Sequence, residues 1–296
     1  MVKEKRELIS RKYAKRSKLA DFWHRYSQNK AATIGLFFII LLALNCIFAD
    51  VLYDYETQVI GYEMMDRFQG PSAEHWFGTD DMGRDLFFRI MYGAKYSMAI
   101  AVCTVLLSLA VGMTVGAIAG FFGGKFDLLA FRFLDIIAAI PSLMMGIIVV
   151  SAMGQSTLSL VISMSIVQLP NTARTTRTAV MTVKNNEYVE AARAIGMPKG
   201  HIILRHIIPN CLSTIVVRIT LNVAAAIAAA SSLSFIGLGV PVPSPEWGAL
   251  LSAGRAHIRN YSYMTTFPGL AIMITIMALN MMGDGLRDAL DPKLRK

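Results

Sequence analysis

Long blocks without charge alternate with short polar blocks along this chain. Uncharged stretches fill residues 31–49, 97–124, 136–173, 219–245 and 260–283. About 20 helical residues cross a hydrocarbon core of roughly 30 Å. The third stretch is 38 residues long and has room for two crossings. The pattern therefore predicts an all-α integral membrane protein with six transmembrane helices. Their expected positions are 31–48, 98–120, 128–152, 158–173, 214–236 and 267–282, with Pro141 kinking the third and Pro170 near the end of the fourth.

Two of these helices carry packing signals. Gly112, Gly116 and Gly120 recur every fourth residue in the second, a row that lets another helix approach closely. The run 224–232 is almost all alanine and serine, slim enough to suit a bundle interior better than open lipid.

Composition supports the membrane reading. Hydrophobic residues make up 54% and charged residues 17%, below the roughly 25% usual in soluble domains. The net charge of +9 invites a nucleic-acid partner, but its distribution gives another explanation and none is expected. Residues 1–30 hold ten Lys or Arg against three acids, and residues 172–218 hold seven against two. Residues 50–96 reverse the balance, with nine acids and four bases. By the positive-inside rule both termini are cytoplasmic, in a multi-pass protein of the cytoplasmic membrane that contacts lipid. Trp23, Trp76 and Trp247 fall outside the apolar cores, where interfacial aromatics belong. Cys46, Cys103 and Cys211 are scattered and read as buried small side chains. About thirty mostly polar residues precede the first apolar run, unlike a cleavable signal peptide.

Four polar segments look too organised for linkers. Residues 187–194 form a good helix, with Tyr188, Ala191, Ala192 and Ile195 on one expected apolar stripe. Gly196 supplies a left-handed stop and Pro198 bars continuation. A second short helix, 199–207, is expected to end at Pro209. This knob, with Glu187, Glu190 and Arg193, reads as a docking element, an interfacial helix lying on lipid, or a spacer.

The outer segment around Gly78, Asp80, Gly83, Arg84 and Asp85 reads as a folded cap, with Thr79 or Asp80 capping the next helix. It lacks the ligand spacing of a calcium loop, so no metal site is expected. Residues 237–248, including Gly237 and Gly239, are too rich in Pro and Gly for a helix and read as a rigid outer turn. The tail from Gly283, with Asp284, Arg287 and Asp288, either folds back by pairing Arg287 with its acidic neighbours or is simply solvated. Arg132 and Asp135 are spaced to pair along one helix face.

The chain carries no engine of its own. The nearest approach to a nucleotide loop, residues 119–126, has Ala for the first glycine and Phe for the magnesium hydroxyl. No His-Glu-x-x-His, Gly-x-Ser-x-Gly or histidine cluster is present. A non-catalytic subunit is expected, with no bound cofactor, driven by energy arriving through the knob.

The knob resembles the cytoplasmic loop of importer-type ABC permeases. Glu190-Ala191-Ala192, then Gly196, then His206-Ile207-Ile208-Pro209 match that family's Glu-Ala-Ala, Gly and terminal Pro at the right spacing. Arg205-His206-Ile207-Ile208-Pro209-Asn210 is similar to the corresponding run of dipeptide and oligopeptide permeases. Phe77-Gly78-Thr79-Asp80-Asp81-Met82-Gly83-Arg84-Asp85, Leu233-Ser234-Phe235-Ile236-Gly237-Leu238-Gly239, Glu246-Trp247-Gly248 and the segment 283–292 resemble the "C" permease subunit of those systems.

The resemblance implies a type I ABC importer permease fold. It divides the chain into a cytoplasmic segment 1–30, a first helix and outer loop 31–96, a permease core 97–285 containing the coupling loop 184–210, and a tail 286–296. It also implies a bacterial or archaeal membrane, a homologous "B" permease, two ATPase subunits holding ATP and Mg, and an external binding protein (extracellular or periplasmic). By that likeness Glu187, Tyr188, Ala191 and Ala192 belong to the docking helix, Glu190 and Arg193 contact or orient it, Gly196 ends it and Pro209 fixes the return to the membrane. The implied cargo is a di- or oligopeptide, with nickel or another metal chelate as the alternative. A membrane scaffold or stand-alone channel is the rival from another class. No substrate-binding residue is assigned.

Overall fold

A computed structural model describes residues 18–290. The expectations for residues 1–17 and 291–296 lie outside the described residues.

An amphipathic helix α1 (Lys18–Gln28) comes first, inside the mostly polar stretch that precedes the first apolar run. Phe22 and Tyr26 pack against Ala32 and Ala289, and the Tyr26 hydroxyl donates to the Ala32 carbonyl at 3.0 Å. Helix α2 (Lys30–Leu52) is capped by Asn29, which accepts from the Ala32 N–H at 3.1 Å. Ala32, Gly35 and Ala49 are buried, whereas Phe37, Leu41, Phe48 and Val51 are exposed as a lipid-facing helix requires.

Helix α3 (Leu86–Phe122) is the longest, 37 residues or about 55 Å. Helices α4 (Gly124–Ala139) and α5 (Ser142–Met153) replace the single kinked third span with a 90° bend. The break falls at Ile140 and Pro141, where proline removes a donor and forces the preceding residue to be extended (φ −82°, ψ 126°). Helix α6 (Thr157–Val183) runs beyond the expected end, straight through Pro170. The glycine row of α3 lies against it. A Cβ on Gly112, Gly116 or Gly120 would meet Thr172, Ala173 with Thr176, or Arg177 with Val180.

Helix α7 (Glu187–Ala194) and helix α8 (Lys199–Ile202) form the knob. A π-turn (Ile203–Ile207) then leads without interruption into α9 (Ile208–Leu233). Pro209 therefore does not end a helix, as had been expected. It sits in the first turn of α9, and the wide π-turn before it accommodates the missing N–H. Helix α10 (Trp247–Arg255) begins inside the stretch expected to be an irregular turn. Helix α11 (Tyr263–Leu290) absorbs the tail as far as Leu290, so Arg287 is exposed on a continuing helix and, among the described residues, pairs with neither Asp284 nor Asp288.

The main core is shared by α3, α9, α10 and α11. Ile90, Ala101 and Val105 meet Val223, Ala224, Ala226 and Ile227, closed by Trp247, Leu250, Ile272 and Leu279. The alanine run is two-faced: Ala224, Ala226 and Ile227 are buried, and Ala225, Ala228 and Ser232 are exposed. Among the described residues four helices are long and apolar enough to cross a membrane, five if the bent α4–α5 pair counts as one span. Helix α6 does not qualify despite its length. Asn171, Arg174, Thr175, Arg177 and Thr178 make its C-terminal half polar.

Candidate functional site

The knob is built around a small apolar core. Val189, Ala192, Ile202, Ile203 and Ile207 pack against Ala117 and Phe121 of α3, Val180 of α6 and Cys211 of α9. The buried stripe of α7 is therefore Val189 and Ala192 (0% and 5% exposed), not the expected Tyr188–Ala191–Ala192–Ile195 row. Tyr188, Ala191 and Ile195 point away from the bundle, and Ile195 is 77% exposed. The helical spacing was readable, but which of two apolar stripes faces inward depended on where α3 and α6 lie.

Gly196 ends α7 with φ +77°. Its N–H donates to the Arg193 carbonyl at 3.0 Å, and the Met197 N–H reaches back to Ala192 at 3.1 Å. This closure satisfies carbonyls at the helix end and needs a left-handed residue. A Cβ there meets nothing within 4 Å, so the glycine is required for its backbone and not for space. Gly196→Leu is expected to insert normally and to cost about 1–2 kcal/mol locally. Hydrogen exchange at Gly196 and Met197 should speed up accordingly, and unchanged exchange would refute the strained turn.

Cations pin the knob to the bundle. Arg193 stacks over Phe121 (5.1 Å to the ring centroid) and its guanidinium donates to the Lys184 carbonyl at 3.5 Å. Lys199 lies over Phe122 at 5.6 Å, and the Lys184 ammonium donates to the Gly120 carbonyl at 2.9 Å. Glu187 and Glu190 are exposed and make no ion pair among the described residues. The face turned outward thus combines two carboxylates with Tyr188, Ile195 and Leu204 (70% exposed).

The cap expected around residues 78–85 is a second organised unit. Asp80 is 3% exposed. One carboxylate oxygen accepts from the Met82 and Arg84 N–H groups at 2.9 and 3.0 Å, and the other pairs with Arg84 Nε at 2.7 Å. Arg89 lies 3.6 Å from the same oxygen and donates to the Val59 and Pro243 carbonyls, joining three outer segments. Neither Thr79 nor Asp80 caps α3. Asp85 does, accepting from Phe87 and Phe88 at 2.7 and 3.4 Å, while its other oxygen holds His75 Nδ1 at 2.9 Å. Gly83 (φ +80°) makes the turn so close to the Glu63 carbonyl that a Cβ has no room. Gly78 and Gly237 also take positive φ, whereas Gly239 is buried against Ser234.

Trp247 is 2% exposed, its indole N–H donating to the Ile90 carbonyl at 2.8 Å, so it is a core residue and not an interfacial one. Glu246 is fully buried and caps α10 through the Gly248 and Ala249 N–H groups, both at 2.9 Å. Burial pushes its carboxyl pKa up, and those N–H donors act against the rise. Neither Arg89 nor Glu246 carried an expected role from sequence, although Glu246 belongs to the Glu246-Trp247-Gly248 run that resembles the "C" permease subunit. Each is a lone charge at the edge of an apolar run, a signal that many snorkelling residues share.

Along the C-terminal half of α6, Asp135 pairs with Arg174 at 2.8 Å and, among the described residues, not with Arg132. Asp127 holds Arg177 through two contacts of 2.6 Å. Both are contacts between helices distant in sequence. Asp284 and Arg287 are exposed near the end of α11, and the Asn29 amide lies 3.5 Å from Asp288. Of the cysteines Cys211 is buried and Cys103 is exposed, contrary to expectation for the latter.

Residues 112–296 match the family model described as binding-protein-dependent transport system inner membrane component. Residues 17–71 match the N-terminal TM domain of oligopeptide transport permease C. The chain belongs to the peptide-type inner-membrane permeases of ABC importers.

This permease is 42% identical over 275 residues to the dipeptide transport system permease protein DppC of Alkalihalophilus pseudofirmus, covering 93% of this chain and 90% of that one. It is 41% identical to the oligopeptide transport system permease protein OppC of Bacillus subtilis and 39% to the glutathione transport system permease protein GsiD of Escherichia coli, with the same coverage of each. The permease also shares its fold with a chain of the inward-facing MetNI methionine ABC transporter. That match has a TM-score of 0.58 at 15% identity and covers 70% of this chain and 98% of that one. It is a multi-pass inner-membrane protein of the peptide and glutathione permease family. Membership implies work with ATPase, binding-protein and second permease subunits.

Proposed function

We propose that this permease is the "C" half of an ATP-driven importer that brings di- or oligopeptides across the cytoplasmic membrane. A homologous permease completes the channel, an external binding protein delivers cargo, and two ATPase subunits bind ATP and Mg while this chain binds neither. The observation that carries the reading is the outward face of the knob. Tyr188, Ile195 and Leu204 stay exposed on an element whose opposite side is buried, beside Glu187 and Glu190. An aromatic and two aliphatic anchors ringed by charge suit a protein groove. The rigid mounting of α7 on α3 and α6 lets a push on the knob reach the membrane helices. Six crossings with both termini inside suit the charge asymmetry, with α6 crossing by hiding its polar half from lipid.

A cysteine crosslink tests the docking. In a variant freed of Cys46, Cys103 and Cys211, Y188C is expected to crosslink to an ATPase subunit and change efficiency with ATP. Crosslinks only to lipid, or to no nucleotide-hydrolysing protein, would contradict the coupling role.

A further inference from the structure

A cationic groove runs along the inner half of α6. Its lower cavity, about 610 Å³, is lined by Asp127, Phe131, Arg132, Asp135, Arg174 and Arg177. A second cavity of about 300 Å³ continues from it at Arg174, between the bend at Pro141 and Asn171. Each has the size of a small-ligand pocket.

Arg218 of α9 stands at the head of this groove. One of its terminal nitrogens donates to the Asn171 side-chain oxygen at 3.4 Å. Behind it is a crevice of about 10 Å³, lined also by Val105 and Leu109, which lie far from both ends of α3. Its Nε is buried without a hydrogen-bond partner, as is Oε1 of Gln168 at the same α6–α9 seam. Arg174 and Arg177 have their aspartates, but Arg218 makes no ion pair among the described residues. The groove therefore sets three arginines against two aspartates, and Arg218 adds a fourth cation beside Asn171 at its head. A charge at membrane depth is costly, and such residues mark substrate or ion pathways.

We infer that Arg218 and Asn171 form a station in the transport path for the carboxylate of the passing substrate. This deepens the importer reading and rests on it. Peptides and glutathione carry a free carboxylate, and a guanidinium with an open edge binds that group through paired, charge-assisted hydrogen bonds. The weak Asn171 contact holds the guanidinium at the groove without neutralising it. The net positive groove below then draws the anion inward toward Arg174 and Arg132.

The test uses the complete importer complex in proteoliposomes, with Cys46, Cys103 and Cys211 replaced. Labelled Ala-Ala, tetra-alanine and glutathione are offered, and assembly is checked by copurification. R218C is expected to lower uptake of the accepted substrate at least tenfold. Aminoethyl methanethiosulfonate, which restores a cation, should recover most of it, whereas neutral methyl and anionic sulfonatoethyl reagents should not. N171D places a resident carboxylate beside the guanidinium and is expected to lower uptake at least tenfold in an assembled complex. This second variant decides the matter if R218C does not assemble.

Undiminished uptake in R218C or in N171D overturns the station. Equal recovery with the neutral reagent does so too, as does R218C inert to every water-soluble reagent. Wild-type complex that takes up none of the three probes overturns the importer reading itself, and the station with it.

Discussion

Asp80→Ala is expected to open the outer cap without preventing membrane insertion. The carboxylate is the counter-charge for two arginines that are themselves buried, Arg84 at 6% and Arg89 at 2% exposure. Removing it leaves buried Arg89 with no carboxylate among the described residues and Arg84 with only Asp81 at 3.8 Å, and frees the Met82 and Arg84 N–H groups. Breaking a buried pair from one side costs about 3–5 kcal/mol, a factor above about 100 in the opening equilibrium. Limited proteolysis of the 54–85 segment in proteoliposomes should accelerate by at least about that factor where cleavage follows the open population. High salt on the wild type should not mimic the variant, because buried pairs are poorly screened. Asp80→Asn keeps a side-chain oxygen to accept from the Met82 and Arg84 N–H groups and loses the charge, so it should fall between. Wild-type protease resistance in Asp80→Ala would show that Asp85, His75 and the Phe77–Phe267 stack hold the cap without it.

Ile195→Asp is expected to do the reverse, leaving this chain intact and abolishing its grip on the ATPase. Ile195 is 77% exposed, so its replacement should change the fold's own stability by no more than about 0.5 kcal/mol. An aliphatic anchor at the centre of a docking face is worth about 2 kcal/mol or more, and a buried carboxylate adds a desolvation cost. Copurification of ATPase with the membrane subunits should fall at least about 30-fold at unchanged permease level and thermal stability. Val189→Asp is the contrast. Val189 is fully buried against α3 and α6, so that variant should destabilise the permease itself. If Ile195→Asp retained full ATPase, the exposed stripe would not be the docking surface.

How much of this was legible without coordinates differs by element. The apolar blocks located the four helices long and apolar enough to cross a membrane and the bent α4–α5 pair, because a span must be apolar over a fixed length whatever it packs against, whereas α6 does not qualify. Gly196 was legible as a stop because a left-handed residue is a local requirement. The bend at Pro141 was placed correctly, but its 90° size was not, since a proline breaks the ladder without dictating where the next helix goes. Helix α10 stayed hidden behind a Pro- and Gly-rich approach, although Glu246-Trp247-Gly248 holds its cap. Helix α1 was equally hidden among charges, its apolar positions Phe22 and Tyr26 too few to stand out.

Charge pairing failed most often as a sequence inference. Arg132 and Asp135 had the right spacing, yet Asp135 pairs with a helix 39 residues away. Sequence spacing reports only neighbours on one helix, and an exposed side chain can reach a better partner across a groove.

The amino-acid sequence by itself determined a membrane protein of apolar helices, its charge asymmetry, a glycine-ended knob and the family to which these motifs point. Those features follow from transfer energies and backbone preferences, which act within a few residues. Only the tertiary structure decided which stripe of the knob is buried, that Asp80 neutralises Arg84 and Arg89, and that Arg218 makes no ion pair among the described residues above a cationic groove. These depend on helices brought together from distant parts of the chain, where burial and counter-charge are set by neighbours that local pattern does not specify.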